Sequence, residues 1–236
     1  MSAALQAGEV HLWTVTLSEV RGAVDALSGE ERAQHDRFHY ATDAQRFAAR
    51  RAALRSVLAG YAGCAPSDIA FVSGAAGKPA LAHAGPVFNA SSSGDIALIA
   101  VARDGVLGVD VEAGRAVTDA DAIAERFFTH AECAALRRQP LADRLAAFYR
   151  LWTAKEALLK AVGTGLPGGL DRFEVSADPA SPPALLHDAD DADDADGGAR
   201  FHLYPADPGQ GYFGALAVDR AGLRVVRCAF DPQAGR

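Results

Sequence analysis

Two stretches half a chain apart repeat each other. Residues 97–109 read ALIAVARDGVLGV and residues 214–226 read GALAVDRAGLRVV, with Ala100/Ala217, Val101/Val218, Arg103/Arg220, Gly105/Gly222 and Val109/Val226 identical. Each copy reads as an apolar strand, a turn (Asp104-Gly105 in the first) and a return strand, which together predict a β-hairpin. A helix-rich stretch precedes each. Two hairpins alone can coincide by chance. With their helices they point to an α+β fold of two similar halves related by a pseudo-twofold axis, leaving a ligand cleft between them. The 236 residues suffice for two such cores. The expected halves are 1–112 and 113–236.

Local patterning fills in the halves. Residues 10–17 alternate as a strand. Ser28 with Glu30 and Glu31 resembles a helix start, and 30–38 a short helix. Residues 43–60 form a strong helix with Phe47, Leu54, Val57 and Leu58 on one side and Arg46, Arg50, Arg51 and Arg55 around the rest. Short strands are expected at 69–72 and 87–90, with a turn at 74–79. Strand 96–102 and return strand 106–112 follow. Helices are expected at 118–128, 131–138 and 141–162, and strands at 173–176, 200–204, 212–219 and 223–230.

Charge and cysteine usage exclude several classes. Thirty acidic against 23 basic residues give a net charge of −7, which argues against a nucleic-acid binder. Much of that acidity is local. Residues 187–198, HDADDADDADGG, hold six Asp, and without them the charge would be −1. This run lacks the closing Glu of an EF-hand loop and reads as a solvated, mobile loop. No run of about 18 apolar residues is present, so no membrane span is expected. The opening MSAALQAGEVHLW lacks the basic and apolar regions of a signal peptide. Three scattered cysteines predict reduced thiols and a cytoplasmic setting.

Two motifs carry chemistry. In GVDVE (108–112), strand alternation turns Val109 and Val111 to a core and Asp110 and Glu112 to the other face, about 6.5 Å apart. Two carboxylates on one face suit a hard cation such as Mg²⁺, or an ordinary solvated strand face. In WTAKEALLKAVGTGL (152–166), helical spacing stacks Trp152, Glu156 and Lys160 on one side and leaves Lys155 off to another. Glu156 and Lys160 could be a solvent ion pair, or a third carboxylate with a cation for phosphate. Neither motif decides alone.

The ordered pair does more. GVDVE followed by LWTAKEALLKAVGTGL resembles the signature of the 4′-phosphopantetheinyl transferases, and in particular their surfactin-type branch, a pseudodimer in one chain. Phe38 to Asp43 with Arg46, Gly77-Lys78-Pro79, Phe88-Asn89-Ala90-Ser91, 123–132, Phe148-Tyr149 and 170–175 match family blocks in order. The resemblance implies transfer of the phosphopantetheine arm of coenzyme A to a serine of an apo acyl or peptidyl carrier protein, releasing 3′,5′-ADP. It implies Asp110, Glu112 and Glu156 as ligands of Mg²⁺ (or Mn²⁺), and Lys160 on a phosphate. It further implies Glu156, or a metal-bound water beside Glu112, as the base. Lys78 and Arg46 would reach coenzyme A phosphates, with Arg50 or Arg51 adding charge, and Ser91 and Ser92 would line its pocket. The protein would be a cytoplasmic monomer that binds neither nucleic acid nor membrane. Arg126, Arg137, Arg138, Arg144 and Arg150 could steer an acidic carrier.

The sequence departs from the family at Ser92, where a His usually grips phosphate. A hydroxyl cannot become cationic, so weaker coenzyme A binding or help from a nearby Arg is expected. Glu31 and Gln34 replace two usual lysines. These losses keep a rival open, a catalytically weak or silent carrier-docking protein of the same fold. A small-nucleotide phosphotransferase lacks its Gly-rich loop. His35 and His39, at i and i+4 as in a helical metal pair, have no third ligand in view and read as surface residues. Ser91 to Ser93 lacks a nucleophile elbow, and Gly163-Thr164-Gly165 reads as a helix terminator.

Overall fold

The computed structural model describes residues 4–74, 77–163, 169–178, 181–189 and 200–231. The elements run β1 (Glu9–Thr16), α1 (Gly29–His35), α2 (Ala41–Ala62), β2 (Phe71–Ser73), β3 (Pro79–Leu81), β4 (Val87–Ser93), β5 (Ile96–Ala102), β6 (Leu107–Ala113), α3 (Ala120–Phe127), α4 (His130–Arg138), α5 (Leu141–Val162), β7 (Phe173–Val175), β8 (Leu185–Asp188), β9 (His202–Pro205), β10 (Tyr212–Val218) and β11 (Arg224–Ala229).

Two sheets form the centre, in the orders β11-β1-β5-β4 and β6-β10-β9. Side-chain parity stacks them into four layers. Ala97, Ile99 and Val101 of β5 pack under α2 with Leu54, Val57 and Leu58. Leu98, Ala100 and Ala102 point the other way, against Val109, Val111, Leu216 and Val218 of the second sheet. Ala215 and Ala217 of β10 then pack under α5. This is a helix, sheet, sheet, helix stack. It explains why IALIAVA is apolar at every position: both of its faces are covered.

The halves echo each other in outline. α2 and α5 each run 22 residues and end at a glycine in the left-handed region, Gly63 and Gly163. β5 lies antiparallel between β1 and β4, and β10 lies antiparallel between β6 and β9.

The expected hairpins are not formed. β5 and β6 lie in different sheets, as do β10 and β11. β5 already has a partner on each edge, so the turn at Asp104-Gly105 instead carries the chain into the second sheet. The matching turn carries it back, where β11 joins β1 in parallel. The two crossovers lock together. Val106 N–H donates to Asp219 Oδ2 (2.8 Å), Asp219 N–H to Val106 O (3.1 Å), and Arg220 to Asp104 (2.7 Å). By hydrogen bonding, residues 107–113 lie in the second sheet and 224–229 in the first.

Other expectations shift locally. α1 opens at a Ser28–Glu31 capping box and closes at Asp36, so His39 lies beyond it and shares no helix with His35. The acidic run begins inside β8. Asp188 there is buried and held by Arg172 (3.2 Å), so it is a fold contact rather than part of a solvated loop. Residues 190–198, 164 and 165 lie outside the described residues. No described helix is long and apolar enough to cross a membrane.

Candidate active site

Three elements converge on one cluster: β6, the strand β4 beside it, and α5. The free edge of β6 faces β4, and side chains replace the missing main-chain ladder. Asn89 Oδ1 accepts from Val109 N–H (2.9 Å) and Ser93 Oγ accepts from Ala113 N–H (3.1 Å). The same strand supplies donors to both carboxylates. Ser91 donates to Asp110 Oδ1 (2.8 Å) and Ser93 to Glu112 Oε2 (2.7 Å). Strand parity thus matches two serines to two acids, residue for residue.

α5 lies against the acidic face of β6. Gly108 makes this possible, since a methyl group there would collide with the Ala157 carbonyl oxygen and the Ala161 amide nitrogen. At that separation Lys160 Nζ donates to Asp110 Oδ1 at 2.6 Å and to Ser91 Oγ at 2.8 Å. Asp110 is 3% exposed. Burial pushes its carboxyl above the ordinary range, with Lys160 and Ser91 pulling the other way. Burial, then the Asp110 and Glu112 charges, likewise raise Glu156. No described group donates a hydrogen bond to Glu156.

These residues suit a divalent cation. Asp110 Oδ2 is buried with no partner, and the Asp110 and Glu112 charges disfavour the charged form of Glu156, as expected where a cation is to sit between them. Among the described residues no three acidic, His or Cys side chains gather closely enough to ligate one ion. Asp110, Glu112 and Glu156 would therefore have to draw together around it.

Beside the acids lies a cavity of about 430 Å³ lined by Gln34, Phe47, Arg50, Arg51, Asn89, Ser91 and Ser92, among others. Arg50 Nη1 donates to Ser92 Oγ at 3.3 Å, so a guanidinium stands over the position where the family's His is absent. Arg51 and Arg55 do not simply solvate their helix face. Both pair with Glu31, and Arg55 is buried and also donates to Pro66 O (3.1 Å) and Ile69 O (2.6 Å). Glu31, standing where a lysine was expected, ties α1 to α2.

Two sequence-predicted residues sit elsewhere. Lys78 Nζ donates to Leu107 O (2.8 Å) and Ala161 O (3.5 Å), bridging the halves, and burial holds its ammonium below the ordinary range. Arg46 lines a separate cleft with Ser18, Arg21, Asp25 and Asp95. The arginines expected to steer a carrier make contacts among surface groups: Arg144 to Arg137 O (2.8 Å), Arg150 to Ser181 O (2.8 Å), and Arg137 to Glu125.

Sequence reasoning missed four positioning residues. Asn89 and Ser93 stitch β4 to β6, as above. Tyr149 stacks on Phe213 at 5.2 Å, and Phe213 is the cross-strand neighbour of Glu112. Lys155 is fully buried. It contacts Glu132 Oε2 (2.8 Å), Leu170 O (2.8 Å) and Phe173 O, pinning α5 to α4 and β7. The capping box of α4, Thr129 with Glu132, was a legible signal for one end of that knot.

Comparison with known proteins follows the same division of the chain. A family model described as 4′-phosphopantetheinyl transferase superfamily matches residues 106–205, and one described as 4′-phosphopantetheinyl transferase, N-terminal, matches 11–104. The chain is 38% identical over 189 residues to 4′-phosphopantetheinyl transferase HetI of Nostoc sp., covering 77% of this chain and 79% of HetI. It is 32% identical over 154 residues to 4′-phosphopantetheinyl transferase Sfp of Bacillus subtilis, covering 63% of this chain and 66% of Sfp. It is 31% identical over 179 residues to the human L-aminoadipate-semialdehyde dehydrogenase-phosphopantetheinyl transferase, covering 71% of this chain and 58% of that protein.

Proposed function

The chain belongs to the 4′-phosphopantetheinyl transferase superfamily, and from that premise we propose that it transfers the phosphopantetheine arm of coenzyme A to a serine of an apo acyl or peptidyl carrier protein, releasing 3′,5′-ADP. The observation that carries this reading is the cluster of Asp110, Glu112, Glu156, Lys160 and Ser91 beside a cavity with a guanidinium at its wall.

Asp110, Glu112 and Glu156 would hold Mg²⁺ or Mn²⁺. When bound, such an ion neutralises the diphosphate and the charge growing on the leaving group. The chain's residues do the rest. Arg50, Ser91 and Ser92 bind and orient coenzyme A phosphates in the cavity. Lys160 lies close enough to the acids to place its ammonium on a phosphate oxygen. Glu156, whose carboxyl is held above the ordinary range by burial and the neighbouring acids, accepts the proton of the carrier serine. The serine oxygen then attacks the phosphorus that carries the pantetheine. The bond from that phosphorus to the bridging oxygen breaks, and the electron pair leaves with 3′,5′-ADP. The protein would act in the cytoplasm as a monomer, with no need of nucleic acid or membrane.

Intact-mass spectrometry tests this. An apo carrier protein incubated with the chain, coenzyme A and Mg²⁺ should gain one phosphopantetheine arm, and the gain should vanish with Glu156→Ala. No gain across several carriers, with coenzyme A still bound, would instead favour the docking-protein reading that Ser92 and Glu31 keep open.

A further inference from the structure

Lys160 holds one oxygen of Asp110, Oδ1, and leaves the other, Oδ2, without a partner. Its ammonium contacts Asp110 Oδ1 at 2.6 Å and Ser91 Oγ at 2.8 Å. The two partners differ in freedom. The Asp110 side chain is 4% exposed, and its strand is held by β10 on one edge and by β4 side chains on the other. The Lys160 side chain is 29% exposed and hangs from the last turn of α5. The acid is fixed and the base can leave.

A buried carboxylate stripped of its counter-charge is costly, so Asp110 holds whatever cation is at hand. A second cation arriving on the acids would face the ammonium as a like charge a few ångströms away. A diphosphate changes this balance, because it offers the displaced ammonium a new anionic partner.

We propose that Lys160 is a resident counter-ion that makes divalent-cation binding conditional on the diphosphate of coenzyme A. The cation alone must sit beside the ammonium as a like charge or push it into solvent. Cation and diphosphate together leave every charge paired. Linkage then requires the reverse as well: the cation must tighten coenzyme A by the same factor. This inference rests on the metal reading of Asp110, Glu112 and Glu156 given above.

The test is binding of Mn²⁺, read from the free-ion signal in electron paramagnetic resonance, with and without coenzyme A and with no carrier present. The unaltered protein should take Mn²⁺ weakly alone and more tightly with coenzyme A, by a factor on the order of tenfold. Lys160→Gln, which removes the charge, should bind Mn²⁺ more tightly than the unaltered protein without coenzyme A and lose most of the coupling. Lys160→Arg, which keeps the charge, should stay near the unaltered protein. Ser91→Ala removes the second anchor of the ammonium and should move in the same direction as Lys160→Gln, a check that survives if the latter misfolds. If neither Lys160→Gln nor Ser91→Ala gains affinity for Mn²⁺ while coenzyme A still tightens it in the unaltered protein, the counter-ion role is wrong and the metal reading stands. If no form binds Mn²⁺ under either condition, the metal reading fails and this inference with it.

Discussion

Replacing Lys155 by Met should destabilise the protein sharply even though Met fits the volume. Lys155 is fully buried and spends its ammonium on Glu132, Leu170 O and Phe173 O. Glu132 is equally enclosed and also accepts from Val175 N–H (2.7 Å) and Thr129 N–H (2.8 Å). The variant leaves that carboxylate charged, buried and without its cation, alongside two carbonyls that lose the ammonium as a donor. Removing one partner of a buried pair costs about 3–5 kcal/mol. At roughly 2–4 °C per kcal/mol for a chain of this size, the melting temperature should fall by about 6–20 °C. Urea unfolding and calorimetry measure both quantities. The double variant Lys155→Met/Glu132→Gln removes the stranded charge and should recover at least half of the loss. A single-variant loss below about 1 kcal/mol would mean the knot is no more than a surface pair. Strict additivity in the double variant would mean that Lys155 and Glu132 do not act together, and either result would refute the reasoning.

Further outcomes follow from the site. Gly108→Ala should push α5 off β6, costing about 1–3 kcal/mol of stability and lowering transfer more than coenzyme A binding, as a split between kcat and KM would show. Glu156→Gln should cut kcat by about a hundredfold or more while stabilising the metal-free protein at neutral pH by about 0.5–2 kcal/mol. The sign comes from its raised carboxyl: the folded charged form is the disfavoured one, so the gain should vanish once pH falls below the unfolded value near 4.5. Arg50→Gln removes a charged donor and should raise the KM for coenzyme A by about tenfold or more. Ser92→His should lower that KM, and an unchanged or higher value would show that the pocket makes no use of the position.

What could be read from the sequence was whatever depends on neighbours along the chain. The ends of β5 and α5 coincide with the apolar run and the 141–162 helix, closed by Gly163, that were expected. The alternation of Val109, Asp110, Val111 and Glu112 placed two residues in the core and two toward the site. What could not be read depends on which elements meet. A turn such as Asp104-Gly105 reverses the chain but does not say whether the flanking strands pair, so a crossover passed for a hairpin. Lys155 sits off the Glu156–Lys160 side of its helix, and only the return of α4 and β7 makes that side an interior. Arg50 and Ser92, 42 residues apart, meet because α2 lies over β4, a pairing no local spacing encodes.

The return of β11 to the first sheet has a consequence for how the protein is made. β1 pairs through residues 9–14 with residues 224–229, so β1 leaves the ribosome long before the strand that seals its edge. Until then one edge of β1 carries open amide and carbonyl groups, and such edges invite pairing with other chains. The second sheet likewise cannot close until β10 has been made to pair with β6. Chains cut short after α5 would therefore hold the acids of β6 and the helix that faces them, but neither β10 nor the strand that seals β1. They should be caught by chaperones or aggregate, rather than persist as a folded first half.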